Sequence, residues 1–226
     1  MALILNIETA TKTCSVNLAK KGLVLVKKEI TSDKYIHGEK LHVLINQLFQ
    51  SSKIPMTSLD AVAVSSGPGS FTGLRIGVSA AKGIAFALNI PLISMDAMDI
   101  MIQQYKLQAN DKKNIYFPMI DARREEVYTK GYNVKKQPIT EISCPEINEL
   151  FLNKYDNYDE IYFLGSGASK FKNKFSNQKP IIDDHVLNSS LGMVTVTYQK
   201  FNNAEFEDLS YFNPFYLKDF KIDVKK

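Results

Sequence analysis

Residues 65–88 read SSGPGSFTGLRIGVSAAKGIAFAL, a glycine-rich turn that runs into an apolar stretch full of small residues. Gly67, Gly69 and Gly73 permit backbone angles and close approaches that a Cβ would block. Free N–H groups at the start of a helix form a seat for phosphate, and Ser70 or Thr72 is placed to cap such a helix. Gly67, Gly69, Ser70 and Thr72 are therefore the candidate phosphate loop. Common motifs do not fit it. A P-loop ends in Lys and Ser or Thr, whereas Gly73 is followed by Leu74 and Arg75. The dinucleotide fingerprint misses by one residue, because three residues separate Gly69 from Gly73. A nucleophile elbow around Ser70 would need glycine where Thr72 stands.

Around this stretch lies a chain of 226 residues, 45% apolar, enough for a real core and too much for disorder. Cys14 and Cys144 lie far apart without paired spacing, which supports neither a zinc site nor a disulfide framework and favours a reducing, cytoplasmic setting. The apolar start, Met1 to Ile7, is too short and lacks the basic residues of a signal peptide. No apolar run is long enough to span a bilayer without Lys or Arg interrupting it. A formal charge of +4 permits contact with nucleic acid without arguing for it.

Taken in order, Ala2–Ile7, Thr13–Ala19 and Leu23–Ile30 read as strands, the last two joined by a short Lys20-Lys21-Gly22 link. From His37 to Ser51, Leu41, Leu44, Ile45, Leu48 and Phe49 recur at helical spacing. A strand over Ala61–Ser65, the glycine turn, its helix, a strand at Leu92–Met95 and a helix over Asp96–Gln108, capped by Asp96, follow. Then the order restarts. Ile115–Asp121, Glu126–Asn133 and Ile139–Ser143 are strand candidates, and Glu146–Lys154 is a helix opened by Pro145. A strand at Ile161–Leu164, a second glycine turn at Gly165-Ser166-Gly167, a helical stretch through Lys174 and a strand at Ile181-Ile182 complete the repeat. Two β-β-β-α-β-α lobes predict a cleft between them, where ligands often bind. The expected division is an N-terminal lobe over 1–108, completed by part of 189–218, a C-terminal lobe over 109–188 and a loose charged tail over 219–226. Gly192–Phe201 reads as helix or strand, and Asn213–Leu217 as extended.

Four stretches together, Ile7–Ala10, Gly67–Gly77, Asp121–Tyr128 and Pro214–Lys218, resemble the TsaB (YeaZ) family, and the likeness covers essentially the whole chain. The resemblance implies the duplicated α/β fold of the acetate kinase, sugar kinase, Hsp70 and actin superfamily. It implies a cytoplasmic, non-catalytic partner of the paralogue TsaD, joined by the ATPase TsaE. Together they make N6-threonylcarbamoyladenosine at position 37 of tRNAs reading codons that begin with A. ATP or ADP and metal then belong to TsaD and TsaE, tRNA is met through the complex, and the chain alone is expected to form a homodimer away from any membrane. Two positions depart from the family pattern: Glu8 stands where Asp is usual and Lys218 where Arg is usual. The second change loses a planar fork of donors.

TsaD enzymes carry a His-x-x-x-His metal pair after this stretch; the matching positions here are Ala97 and Met101, neither a ligand for a hard metal. His37 and His42 are five apart, about 140° around a helix. Asp96 and Asp99 read as a cap and a solvated first turn. Cys14, in an apolar strand, reads as a core thiol and not a nucleophile. No catalytic or metal residue is expected. In the family the first two helices meet a partner's, which implicates His37, Leu41, Leu44 and Leu48 with Arg75, Ser79 and Lys82. Gly73, Gly77 and Ala81 form a small-residue stripe that admits a partner helix or serves packing within the lobe. Arg123, Arg124, Lys170, Lys172 and Lys174 are candidate tRNA contacts, or a solvated basic face. The competing readings are an ATPase or kinase of the same fold and a glycoprotease-like peptidase.

Overall fold

The structure, a computed structural model, describes residues 2–34, 36–107, 112–175 and 180–218. Strand β1 (Leu3–Glu8) is its centre, flanked by β2 (Thr13–Lys20) antiparallel and β4 (Ala61–Gly67) parallel. With β3 (Leu23–Thr31) and β5 (Leu92–Asp96) these make a five-stranded sheet of order β3-β2-β1-β4-β5. Alternation decides what each face meets. Leu3, Leu5 and Ile7 of β1, with Cys14, Val16 and Leu18 of β2, face α1 (His37–Ser52) and α2 (Phe71–Leu88) in one apolar cluster.

The opposite face carries a buried polar seam. Asn6 donates to Asn17 (2.9 Å), Thr197 Oγ1 donates to Asn6 (2.8 Å), and Asn17 donates to the Ser190 carbonyl (2.7 Å). Ser15 and Ser190 hydroxyls meet at 2.8 Å. These bonds seat a 3-10 turn, Ser190–Met193, and α5 (Val194–Asn202) on the N-terminal sheet. Gly192–Phe201 is thus helical from Val194 despite its β-branched residues, because tertiary partners outweigh local preference.

The second half is a reduced copy. Its sheet, in order β7-β6-β8-β9, comprises β6 (Asn114–Asp121), β7 (Val127–Thr129), β8 (Glu160–Leu164) and β9 (Ile181–Asp183). Its core is aromatic, with Phe117 meeting Phe151 and Phe163 edge-on. The strand expected over 139–143 is absent as an element; isolated bridges, Thr129 to Ser143 and Tyr132 to Pro138, replace it. Pro138 and Pro145 bracket this segment and lack the N–H a ladder needs. The helix expected from Glu146 is shorter, α4 (Glu149–Asn153), and Asn148 rather than Pro145 opens it, accepting from Phe151 N at 3.0 Å. After the second glycine turn there is only a 3-10 stretch, Ser166–Phe171. Helix α3 (Ala97–Gln104) stops short of 108. The predicted tail, 219–226, lies outside the described residues.

The expected cleft between the sheets is filled where α3 meets β6 and β8. Ala97, Met98, Met101 and Ile102 share one buried cluster with Tyr116, Ile120, Tyr132, Tyr162 and Leu164. The Met101 thioether occupies the space a side chain at Gly165 would need, and Gly165 itself has φ +87. Among the described residues one helix, α2, is long and apolar enough to cross a membrane. Here it lies on the sheet, with Gly73, Leu74, Gly77, Val78, Ala81 and Ala85 buried.

Gly77 is the tightest point of that packing, since a Cβ there would overlap Thr9 Oγ1. Gly77→Val is expected to cost roughly 1–3 kcal/mol or more as overpacking. Ser79→Ala, on the exposed side of the same helix, is expected to stay within about 0.5 kcal/mol. Urea midpoints of the two variants check both.

Candidate functional site

The glycine turn closes on its own chain. Ser70 N donates to Ala10 O (2.7 Å), Gly73 N donates to Ser70 Oγ (3.2 Å), and Leu74 N donates to Ser70 O (2.8 Å). A side chain at Gly69 would overlap the Ala10 carbonyl, and one at Gly73 the Thr9 carbonyl. Phe215 N donates to Ser66 O (2.8 Å), which lays the C-terminal segment over the other side of the turn. In the candidate phosphate loop of Gly67, Gly69, Ser70 and Thr72, the Ser70 N–H and that of the following Gly73 already have partners within the chain. Ser70 is the helix cap.

Glu8, at the end of β1, is fully buried and accepts from Ala10 N at 2.5 Å. Burial pushes its carboxyl up to about 8, so it is mostly neutral at pH 7. Burial likewise pushes the Cys14 thiol up to about 12, with the neighbouring Glu8 adding to the effect, which leaves it inert. Ala97 and Met101 are buried in the cluster between the sheets. Among the described residues no group of three or more His, Cys, Asp and Glu is placed to hold a metal.

Asp96 caps α3, accepting from Asp99 N at 2.7 Å. The pair is not a solvated first turn, however. Lys130 reaches Asp96 at 2.9 Å and Asp99 at 3.2 Å, and Tyr132 donates to Asp99 at 2.5 Å. Burial, together with the adjoining Asp99, raises the Asp96 carboxyl, while Asp99 is lowered against its own burial by hydrogen bonding to Asp96, then to Tyr132, and by Lys130. The cluster clamps α3 to the second sheet.

On α1 the predicted partner residues turn inward. His37, Leu41, Leu44 and Leu48 are buried, and the first of them sets Nε2 at 2.7 Å from the Thr11 carbonyl. The apolar stripe that drew attention to them is the stripe that faces the sheet. Gly73, Gly77 and Ala81 are buried as well, against Thr9 and the core, so that stripe serves packing within the chain. What α1 and α2 present outward is Gly38, His42 and Val43 of α1 with Arg75, Ser79, Gly83 and Phe86 of α2. Phe86 is 80% exposed and Val43 47%. Arg75, Ser79 and the half-buried Lys82 lie where sequence periodicity puts them.

Two grooves flank this ridge. One, about 570 Å³, lies between α1 and α2 and is lined by Gly38, His42, Ile76, Ser79, Gly83 and Ile84. The other, about 450 Å³, lies between α2 and the C-terminal segment, lined by Arg75, Val78, Ser79, Lys82, Phe212 and Tyr216. That segment behaves as a strap. Lys82 donates to the carbonyls of Ser210 (3.3 Å) and Phe212 (3.0 Å). Arg75 Nε donates to Tyr216 Oη (3.1 Å), and its guanidinium lies 3.8 Å over the Phe71 ring. Lys218, at the strap's end, pairs with Glu126 beside β7. Gly38, His42, Gly83, Phe86 and Tyr216 were missed by pattern reading; extending the Arg75–Ser79 stripe by four and seven residues finds Gly83 and Phe86.

Most of the candidate basic residues gather around the 121–126 turn, where Lys170 also donates to the Arg124 carbonyl (2.6 Å), but the lysines are ion-paired. Lys170 pairs with Asp121 (2.5 Å), Lys172 with Asp184 (2.8 Å) and Lys174 with Glu125 (2.6 Å). Arg123 and Arg124 are exposed in the turn before β7 with φ of 68° and 49°.

A filled inter-sheet space, a buried thiol and an exposed helix ridge describe a two-sheet α/β protein. A family model described as "TsaD: tRNA N6-adenosine threonylcarbamoyltransferase" matches residues 26–223, and the chain belongs to this family. Within it the chain is similar to TsaB proteins: 34% identical over 129 residues to that of Escherichia coli K12 (57% of this chain, 54% of the relative). It is 29% identical over 175 residues to that of Bacillus subtilis 168 (75% of this chain, 73% of the relative). The match thus spans about half the length of the E. coli and Haemophilus influenzae relatives. The fold is shared with YeaZ from Pseudomonas aeruginosa, at a TM-score of 0.80 and 22% identity, over 96% of this chain and 100% of that one.

The raised Glu8 carboxyl makes stability depend on pH. The folded state holds the proton up to about pH 8, whereas the unfolded chain releases it near 4.5, so this contribution is full below the lower value and is lost as pH rises through the window. Glu8→Gln is expected to match the parent near pH 5 and to exceed it by a few kcal/mol above pH 8, as denaturation at several pH values will read.

Proposed function

We propose that the chain is the non-catalytic TsaB-type subunit of the cytoplasmic machinery that forms N6-threonylcarbamoyladenosine at position 37 of tRNAs reading codons that begin with A. It docks on a TsaD-type paralogue, with a TsaE-type ATPase joining the assembly. The observation that carries this is the exposed α2 ridge, Arg75 to Phe86, standing between two grooves. Such a ridge suits insertion between facing helices, since Gly38 and Gly83 let another backbone come close. The Pro214–Lys218 motif strengthens it, because Tyr216 and the strap complete one wall.

An ATPase or kinase reading is opposed by Met101 filling the space beside the second glycine turn. A peptidase reading is opposed by the high thiol pKa of Cys14 and the capping role of Ser70. Nucleotide and metal belong on this reading to TsaD and TsaE. Contact with tRNA is made through the complex, since Lys170, Lys172 and Lys174 spend their charge on neighbouring carboxylates. Self-association in the absence of TsaD uses the same ridge.

Reconstitution tests the reading. The isolated chain is expected to turn over neither ATP nor peptide, and threonylcarbamoylation of tRNA to appear on adding TsaD, TsaE and the activated threonine donor. Ser79→Trp is expected to weaken TsaD binding by more than about tenfold without a change in urea midpoint, as a bulky residue at the centre of a packed interface does. Turnover by the chain alone, or binding unaffected at Ser79, would reject it.

A further inference from the structure

The turn that joins β6 to β7 breaks a local rule of turn chemistry. Arg123 and Arg124 both have positive φ, 68° and 49°, and both are exposed. Two successive residues of that kind are what Asn-Gly or Gly-Gly supplies at a hairpin, and a residue with a Cβ is strained there. The surrounding structure enforces the conformation. Asp121 Oδ1 accepts from Arg123 N at 2.7 Å, and Ala122 N donates to Glu126 O at 3.2 Å. Lys170, from the 3-10 stretch after the second glycine turn, donates to the carbonyls of Arg124 (2.6 Å) and Glu126 (3.2 Å). Strain held in place by its neighbours marks a position where the displayed side chains matter more than local stability.

Charge is sorted within the same turn. Asp121 pairs with Lys170, Glu125 with Lys174, and Glu126 with Lys218 of the strap. Lys174 holds the Glu125 carboxyl below its ordinary range, and Lys218 does the same for Glu126, with a lesser pull from Arg124. Each carboxylate of the turn is thus matched by a lysine from another part of the fold. Neither arginine forms a salt bridge among the described residues. The basic residues that sequence groups together therefore divide. The lysines hold the turn, and the two guanidiniums are the charge left uncompensated on its outside.

Neighbouring Cα atoms stand about 3.8 Å apart, so two adjacent arginines present their forks side by side. A planar fork pairs bidentately with phosphate oxygens, and a phosphodiester backbone offers such groups in succession. We propose that Arg123 and Arg124 are this chain's contact with the phosphate backbone of tRNA, made within the assembly with TsaD. The inference rests on the functional reading above and adds to it which residues touch the RNA. Contacts of this kind set affinity and position without reading sequence.

Fluorescence anisotropy of labelled tRNA, titrated with the full chain in complex with TsaD from about 50 mM to about 300 mM NaCl, tests the assignment. Arg123→Gln with Arg124→Gln is expected to weaken binding roughly tenfold at about 100 mM salt. It is also expected to flatten the slope of log affinity against log salt by about 1.4 to 1.8, the share of two phosphate contacts. Arg123→Asn with Arg124→Gly relieves the turn, so it is expected to raise the urea midpoint of the chain while losing as much tRNA binding. A purely structural role for the arginines would not separate those two readouts. A slope unchanged in both variants, where the parent assembly binds tRNA, overturns the inference and leaves the functional reading standing. Loss of TsaE from the variant assembly with tRNA binding intact assigns the arginines to an acidic protein surface and overturns it as well. A parent assembly that binds no tRNA at any salt rejects the functional reading and this inference together.

Discussion

The contact on which most of this molecule depends is the approach of α2 to the β1–β2 turn. Gly69, Gly73 and Gly77 recur every four residues, and each sits where a Cβ would overlap Thr9 or Ala10. Removing three side chains along one stripe brings a helix axis close to the sheet. Ala81 and Ala85 extend the stripe to the helix end, both fully buried. A helix has only one opposite side. By spending the small residues inward, the sequence commits Arg75, Ser79, Gly83 and Phe86 to the outside. The ridge is thus a consequence of the packing, and the same glycines that resemble a phosphate loop are consumed in forming it.

Much of this was legible from pattern. The strands of the first half and both of its long helices fall within a residue or two of expectation, because their alternation and 3.6-residue periodicity are uninterrupted. The second half was less legible for a physical reason. Its third strand reduces to bridges between prolines, and its helices to short or 3-10 segments, so the core there is built from ring contacts such as Phe117–Phe163 and not from regular ladders. At the site, periodicity found the α1 stripe but not its direction. Leu41, Leu44 and Leu48 are what a helix buries, and nothing in their spacing distinguishes a sheet from a partner as the thing that covers them. Gly38 and His42 carried no apolar signal. The strap was invisible for another reason: its bonds to Lys82 and Arg75 join residues more than 120 positions apart.

The same geometry governs the space between the two sheets. In a two-lobed fold a ligand needs room between the sheets and charges to hold it. Here the α3 positions that would offer ligands are Ala97 and Met101, and Met101 fills the space above Gly165. Polar groups that do face this region pair with one another: Lys130 with Asp96 and Asp99, and Tyr132 with Asp99. A satisfied cluster of this kind fixes two sheets relative to each other and leaves no charge waiting for a ligand.

The strap ties these two properties together. It begins at the β5 edge, where Glu207 N donates to Leu92 O, and crosses Lys82 and the glycine turn. It then ends on Glu126 beside β7, so a single segment touches both sheets and forms one wall of an α2 groove. Lys218 in place of Arg keeps that ion pair but offers a point charge where a forked guanidinium could bind bidentately. The burden of orientation then falls on Tyr216, which stacks at 4.9 Å on Phe71 and receives the Arg75 hydrogen bond. Aromatic stacking is insensitive to salt, whereas the charge it positions is not. The strap therefore holds a salt-sensitive charge in a salt-insensitive mount.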